Sequence, residues 1–195
     1  MNVARILYPV QVLGPGKRIG IWVCGCNRKC PGCSNPELWK QKEEYEIQIS
    51  QLLDLFNHIL LSNPIDGFTI SGGEPFLQPE ELSSLIEEIA LISRDILIYT
   101  GFTLQELHDL KNPFIEKTLS TISVLIDGPY IQEKNNDLFL RGSENQQIHI
   151  LNPLFHEMYS QYLMVGKNKI QNFMSKEGVI SVGIHRRDFS DSSAS

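Results

Sequence analysis

Apolar positions along this 195-residue chain switch repeatedly between two spacings. Ile19–Val23, Gly67–Ile70, Ile96–Tyr99 and Ile122–Ile126 are short runs rich in β-branched residues, and they read as buried strands. Between them the spacing lengthens to that of a helix. Leu52, Leu55, Phe56, Ile59 and Leu60 mark one helical face. Leu82, Leu85, Ile86, Ile89 and Ile92 mark another, opposite Glu80, Glu81, Ser84, Glu87 and Glu88. Pro79 suits the first position of that second helix, with acidic residues in its first turn to meet the helix dipole. Thr103-x-x-Glu106 has the form of a capping box, and Asn112-Pro113 opens a further helical piece. Strand and helix alternate at least four times with short connections. This predicts an α/β fold on a parallel sheet, either an open sheet or an incomplete barrel.

The flanks are less regular. Arg5–Val12 reads as a short strand pair or extended arm, followed by a turn at Gly14-Pro15-Gly16-Lys17-Arg18. After Tyr130 the pattern weakens: Gln132–Asp137 is a polar loop, and Gln147–Leu151 and Val179–Ile184 are strand candidates. Residues 1–189 are expected to form one domain, with Ser190–Ser195 a frayed polar tail.

Composition narrows the function classes. The formal charge of −6 argues against nucleic acid as the main partner. The one short basic cluster, His185-Arg186-Arg187, reads as a solvated terminus, and Lys17 and Arg18 read as solvated surface. No apolar run reaches membrane-span length and no signal-peptide core is visible, so the reading is a cytoplasmic protein with no membrane partner. The scattered histidines take no assigned role.

All four cysteines lie in Cys24-Gly-Cys26-Asn-Arg-Lys-Cys30-Pro-Gly-Cys33. Without a secretory signal, a disulfide framework is not expected. Zinc sites commonly pair two cysteine–histidine halves across a long insert, and no second half exists here. One reading is a structural metal knuckle using all four thiols. Alternatively Cys24, at the expected end of the first strand, is a small buried residue, and Cys26, Cys30 and Cys33 hold a 4Fe–4S cluster with one iron left for a small molecule. Downstream, the strand at Gly67–Ile70 runs into Ser71-Gly72-Gly73-Glu74-Pro75. Taken alone this is an ordinary turn. Its glycines would also let a ligand approach the backbone, with Glu74 beside them to accept from an ammonium group. Asp127, before Gly128-Pro129, is either a turn former or a residue lining a site at a strand's C-terminal end.

The order of these motifs, a C-x3-C-x2-C triplet followed by strand, Gly-Gly-Glu-Pro and helix, resembles the radical S-adenosylmethionine superfamily. Further motifs resemble the anaerobic ribonucleotide reductase activating proteins: Gly14-Pro15-Gly16-x-Arg18, Cys30-Pro31-Gly32-Cys33-x-Asn35 with Trp39, Tyr99-Thr100-Gly101-Phe102-Thr103, Ile126-Asp127-Gly128-Pro129-Tyr130 and Arg141-Gly142-Ser143-x-Asn145-Gln146. The resemblance implies a shortened (β/α) barrel. It implies Cys26, Cys30 and Cys33 as cluster ligands, and S-adenosylmethionine held by Gly72, Gly73, Glu74 and Pro75 at its methionine end. Gly32, Ser34, Thr100 and Asp127 would flank the rest of the molecule.

The implied activity is an activase. An electron from a flavodoxin or ferredoxin cleaves S-adenosylmethionine to methionine and a 5′-deoxyadenosyl radical, which takes hydrogen from a glycine of a partner glycyl radical enzyme, an anaerobic ribonucleotide reductase. Brevity agrees with this, since few residues remain for a lid and a partner's loop could enter an open barrel side. Two alternatives stand beside it: a small radical enzyme acting directly on a peptide or purine-like metabolite, and a non-catalytic metal-binding interaction module.

Overall fold

The computed structural model describes residues 1–175 and 178–186. In chain order its elements are β1 (Val3–Val10), β2 (Arg18–Val23), α1 (Ile49–Leu60), β3 (Gly67–Gly72), α2 (Pro79–Ala90), β4 (Ile96–Tyr99), α3 (Leu104–Asp109), α4 (Pro113–Thr121), β5 (Val124–Asp127), β6 (Gln147–Ile150), α5 (His156–Val165), β7 (Ile170–Ser175) and β8 (Gly178–Gly183). The expected polar tail at Ser190–Ser195 lies outside the described residues.

The first six strands form one sheet in the order β1-β2-β3-β4-β5-β6. Its centre, β2 to β5, is parallel, and β1 and β6 close the two edges antiparallel. The Arg5–Val12 arm is thus the edge strand β1. Strand order never reverses, so successive crossovers of one hand carry α1–α4 to the same face. That face holds the main core, where Leu52 and Phe56 of α1 and Leu82, Leu85, Ile86 and Ile89 of α2 meet Ile19, Ile21, Phe68, Ile70 and Ile98. Leu55, expected on that face of α1, is 40 % exposed instead. The capping box of α3 forms as expected, the Thr103 side chain accepting from Glu106 N and Glu106 from Thr103 N.

Side chains alternate across a strand, so Trp22, Leu97, Tyr99, Val124 and Ile126 point to the other face. No helix of the βαβ units covers it. It is covered by residues beyond the fourth unit, α5 at one end and the β7–β8 hairpin at the other.

Arg18 departs from expectation: it is fully buried at the start of β2. Its guanidinium donates to Asp95 Oδ2 at 2.5 Å, to Thr69 Oγ1 at 2.7 Å and to the Phe68 carbonyl at 2.6 Å. Asp95 also accepts from Ser123 Oγ at 3.0 Å and Tyr159 OH at 2.6 Å. A buried charge survives only when paired and hydrogen-bonded, and here every partner is supplied.

Candidate functional site

The opposite ends of the same parallel strands build the site, as open α/β sheets do. β2 runs into the cysteine loop, β3 into Gly72–Pro75, β4 into Thr100-Gly101 and β5 into Asp127-Gly128. Backbone bonds pin the cysteine loop at its start: Gly25 N donates to Leu38 O and Cys26 N to Trp39 O, each at 2.9 Å. The turn after the third cysteine donates Asn35 N to Cys33 Sγ at 3.4 Å.

A cleft of about 190 Å³ opens between these loops, bordered by Cys26, Cys30, Cys33, Ser34, Gly72, Gly73, Glu74 and Thr100. Cys24 stays out of it, fully buried among Val10, Leu13, Trp22 and Leu38, where burial pushes its thiol up. Cys30 feels both Cys26 and Cys33 electrostatically, although burial is the largest influence raising its own thiol. Among the described residues no three His, Cys, Asp or Glu side chains stand close enough to grip a single metal ion. The three thiols Cys26, Cys30 and Cys33 border the cleft together, and thiol donors of this kind suit the irons of a 4Fe–4S cluster.

Glu74 is almost wholly buried at the cleft wall. Its Oε1 accepts from Phe76 N at 3.1 Å and Thr100 Oγ1 at 2.8 Å, and its Oε2 accepts from Gly101 N at 2.7 Å. Burial pushes this carboxyl up, while the three donors and the nearby Arg28 pull it back. Both backbone partners donate to carboxyl oxygens, and Oε2, which accepts from Gly101 N alone, keeps room for one more donor. The two glycines before it are required by close approach. A Cβ on Gly72, at φ +112°, would lie 2.4 Å from Val23 O, and one on Gly73 would lie 2.4 Å from Gly25 O.

Three expected contact residues lie elsewhere. Pro75 is buried in the 3-10 turn that follows the glutamate. Gly32, at φ +69°, lies close to the Gln132 side chain and does not border the cleft. Asp127 is turned into the fold: it accepts from Leu104 N at 2.6 Å and Gln147 N at 3.2 Å, and His149 Nε2 lies 3.0 Å away. It fixes the start of α3 to the start of β6.

Other residues lining the cleft had no assigned role in the sequence. Arg28, inside the C-x3-C loop, donates to Glu106 Oε2 at 2.8 Å and stacks 4.3 Å over the Phe102 ring, tying that loop to α3. Tyr99 and Trp39 also line the cleft, and Tyr99 OH and Trp39 Nε1 are buried with no hydrogen-bond partner among the described residues. Trp22 and the Ser181–His185 segment complete the wall. Inward alternation along β2 points to Trp22, whereas no motif marks the segment.

Residues 12–149 match the family model described as a 4Fe-4S single cluster domain. The anaerobic ribonucleoside-triphosphate reductase-activating protein of Escherichia coli K12 is 31% identical over 154 residues, covering 74% of this chain and 96% of that protein. The protein of the same description from Enterobacteria phage T4 is 32% identical over 153 residues, 76% of this chain and 93% of its own length. A pyruvate formate-lyase-activating enzyme from Staphylococcus aureus is 30% identical over 146 residues, 71% of this chain but 56% of the enzyme. With three thiols and the Gly-Gly-Glu turn meeting in one cleft, and most of the chain aligned to these relatives, this chain belongs to the 4Fe–4S family of anaerobic ribonucleoside-triphosphate reductase-activating proteins.

Proposed function

We propose that this chain is a glycyl-radical-enzyme activase that uses one 4Fe–4S cluster and S-adenosylmethionine, and that its partner is an anaerobic ribonucleoside-triphosphate reductase. The observation that carries this reading is that Cys26, Cys30, Cys33 and the Gly72–Glu74 turn, far apart in sequence, border one cleft at the ends of adjacent parallel strands. In this reading the four central strands and their outer helices are an incomplete (β/α) barrel.

Cys26, Cys30 and Cys33 would hold the cluster, while Cys24 only packs. Gly72 and Gly73 bring backbone close to the methionine end of S-adenosylmethionine, and the spare lone pair of Glu74 Oε2 accepts from its ammonium. Ser34 and Thr100 border the remainder of the cleft, with Tyr99 OH and Trp39 Nε1 as donors to ligand oxygens or nitrogens. When bound, the cofactors supply reductive cleavage of the sulfonium and the 5′-deoxyadenosyl radical that abstracts hydrogen from the partner's glycine. The protein's part is to orient the ligand and exclude water. A flavodoxin or ferredoxin in the cytoplasm would deliver the electron.

The test is anaerobic. Protein reconstituted with iron and sulfide, given a reductant and S-adenosylmethionine, should generate a persistent radical with glycine hydrogen splitting only when the reductase is present. Replacing the reductase's radical glycine by alanine should abolish the signal. Rapid consumption of a small substrate without any partner would overturn the assignment in favour of a directly acting radical enzyme.

A further inference from the structure

The family model ends at residue 149, yet the chain continues into a hairpin that reaches the cleft. Its course is that of a strap across the sheet face that α1–α4 leave uncovered. At one end Gln171 ties it to β1, its Nε2 donating to Pro9 O at 2.7 Å and its Oε1 accepting from Gln11 N at 3.0 Å. Directly across the hairpin from Gln171, Val182, 3 % exposed, packs in the cluster of Leu13, Trp22 and Leu38. At the other end Asn135 Nδ2 donates to His185 O at 2.9 Å, and Arg186 pairs with Asp137 at 2.9 Å. Three anchors on separate parts of the fold hold it in place. Between them Ser181–His185 forms part of the cleft wall, together with Trp22 and Tyr99.

We propose that this C-terminal strap is a positioning element of the S-adenosylmethionine site: it walls off the inner sheet face and encloses the nucleoside half of the ligand. The inference rests on the preceding reading. The Gly72–Glu74 turn takes the amino-acid end, so the nucleoside end must meet the remaining walls, and β8 is one of them. An apolar wall there excludes water from a reactive ligand without help from a partner. This reverses the sequence expectation that too few residues remain for a cover: residues 151–175 and 178–186 supply one. The partner's loop must then reach the ligand past the cysteine and Gly101 loops, not across the inner face of the sheet.

Two variants of the full chain test this. Gln171→Ala combined with Asn135→Ala loosens both tethers while leaving the apolar contact; Val182→Asp puts a charge into that contact. In the metal-free protein, acrylamide quenching of tryptophan should rise in both, because both tryptophans border the cleft and Trp22 lies beneath the strap. In anaerobically reconstituted protein with unchanged iron content, S-adenosylmethionine should bind about tenfold more weakly in each variant. If Val182→Asp does not fold, the double variant decides alone. Raised quenching with unchanged affinity, or unchanged quenching, overturns the inference. Failure of the wild-type protein to bind S-adenosylmethionine would instead overturn the function, and the quenching measurement would still report whether the strap covers Trp22.

Discussion

Replacing Gly73 by alanine perturbs the cysteine loop directly. The added Cβ would sit 2.4 Å from Gly25 O and 2.9 Å from Gly25 C, about 1 Å inside ordinary contact distance. Those atoms are backbone, so they cannot swing aside as a side-chain tip would. Nor can the loop retreat freely, since Gly25 N and Cys26 N are bonded to Leu38 O and Trp39 O on its far side. The strain therefore falls on Glu74 N→Gly25 O and Gly73 N→Val23 O, both 2.7 Å long. Overpacking of this kind costs about 1–3 kcal/mol, and stretching each hydrogen bond adds about 0.5–1.5 kcal/mol. A loss of about 2–6 kcal/mol is expected. Urea unfolding of the metal-free protein measures it, and iron content after anaerobic reconstitution should fall alongside, because Cys26 lies next to the displaced residue. Gly101→Ala is the control: the nearest atoms to its Cβ belong to the Arg28 and Glu74 side chains, at 3.0 Å and 3.3 Å, and none of the three nearest is backbone. A Gly73→Ala protein as stable as wild type, with full iron, would refute the claim that the Gly-Gly turn and the cysteine loop are packed as one unit.

Alanine at Cys26, Cys30 or Cys33 should abolish the iron–sulfur absorbance, while Cys24→Ala should keep it and lose about 1 kcal/mol in unfolding experiments, as a buried side chain trimmed in a packed cluster does. Glu74→Gln must turn an amide N–H toward at least one backbone donor, so S-adenosylmethionine affinity should fall and stability drop by about 1–3 kcal/mol; calorimetry and urea melts measure both. The Glu106 carboxyl is held below its ordinary value, first by the Thr103 N–H and then by Arg28. A depressed folded-state value adds stability above the unfolded one, and that stability disappears as pH falls through the folded value. The melting difference between wild type and Glu106→Gln should therefore be constant at neutral pH and shrink as pH falls below the ordinary glutamate range.

Strands and helices of the βαβ units were legible because their buried faces repeat with the right period, and the capping box at Thr103 was legible because it is local. The cysteine loop and the Gly-Gly-Glu turn were legible as motifs, and the sheet register explains their meeting: Val23 pairs with Gly72 on adjacent parallel strands. Asp127 stayed open between two readings because a strand-end acid looks the same whether it faces a ligand or ties loops together, and its bonds to Leu104 N and Gln147 N support the structural one. Arg18 was misplaced because its partner Asp95 lies far along the chain. α5 escaped notice for a related reason. Its inward residues are tyrosines whose hydroxyls bond to Asp95 and to Gly14 O, so its buried face does not read as apolar. β7 alternates exposed and half-buried positions too weakly to stand out.

The cluster around Arg18 also constrains the order in which the chain can be finished. Arg18 and Asp95 are synthesised early, but Tyr159 and Tyr162 close over them from α5, and the Tyr162 bond to Gly14 O spans 148 residues. Until α5 leaves the ribosome, one end of the inner sheet face is uncovered and Asp95 lacks the tyrosine hydroxyl that satisfies it. Contacts of such long range form late, because loop closure precedes any gain from them. The emerging chain thus completes the cysteine and Gly-Gly-Glu loops at the ends of β2 and β3 before it seals the opposite end, and the same late segment leads directly into the β7–β8 hairpin. Closure of the base and arrival of the hairpin at the cleft wall are one concluding event of synthesis, so a chain cut before α5 would carry the cysteine and Gly-Gly-Glu motifs on a sheet whose inner face is uncovered.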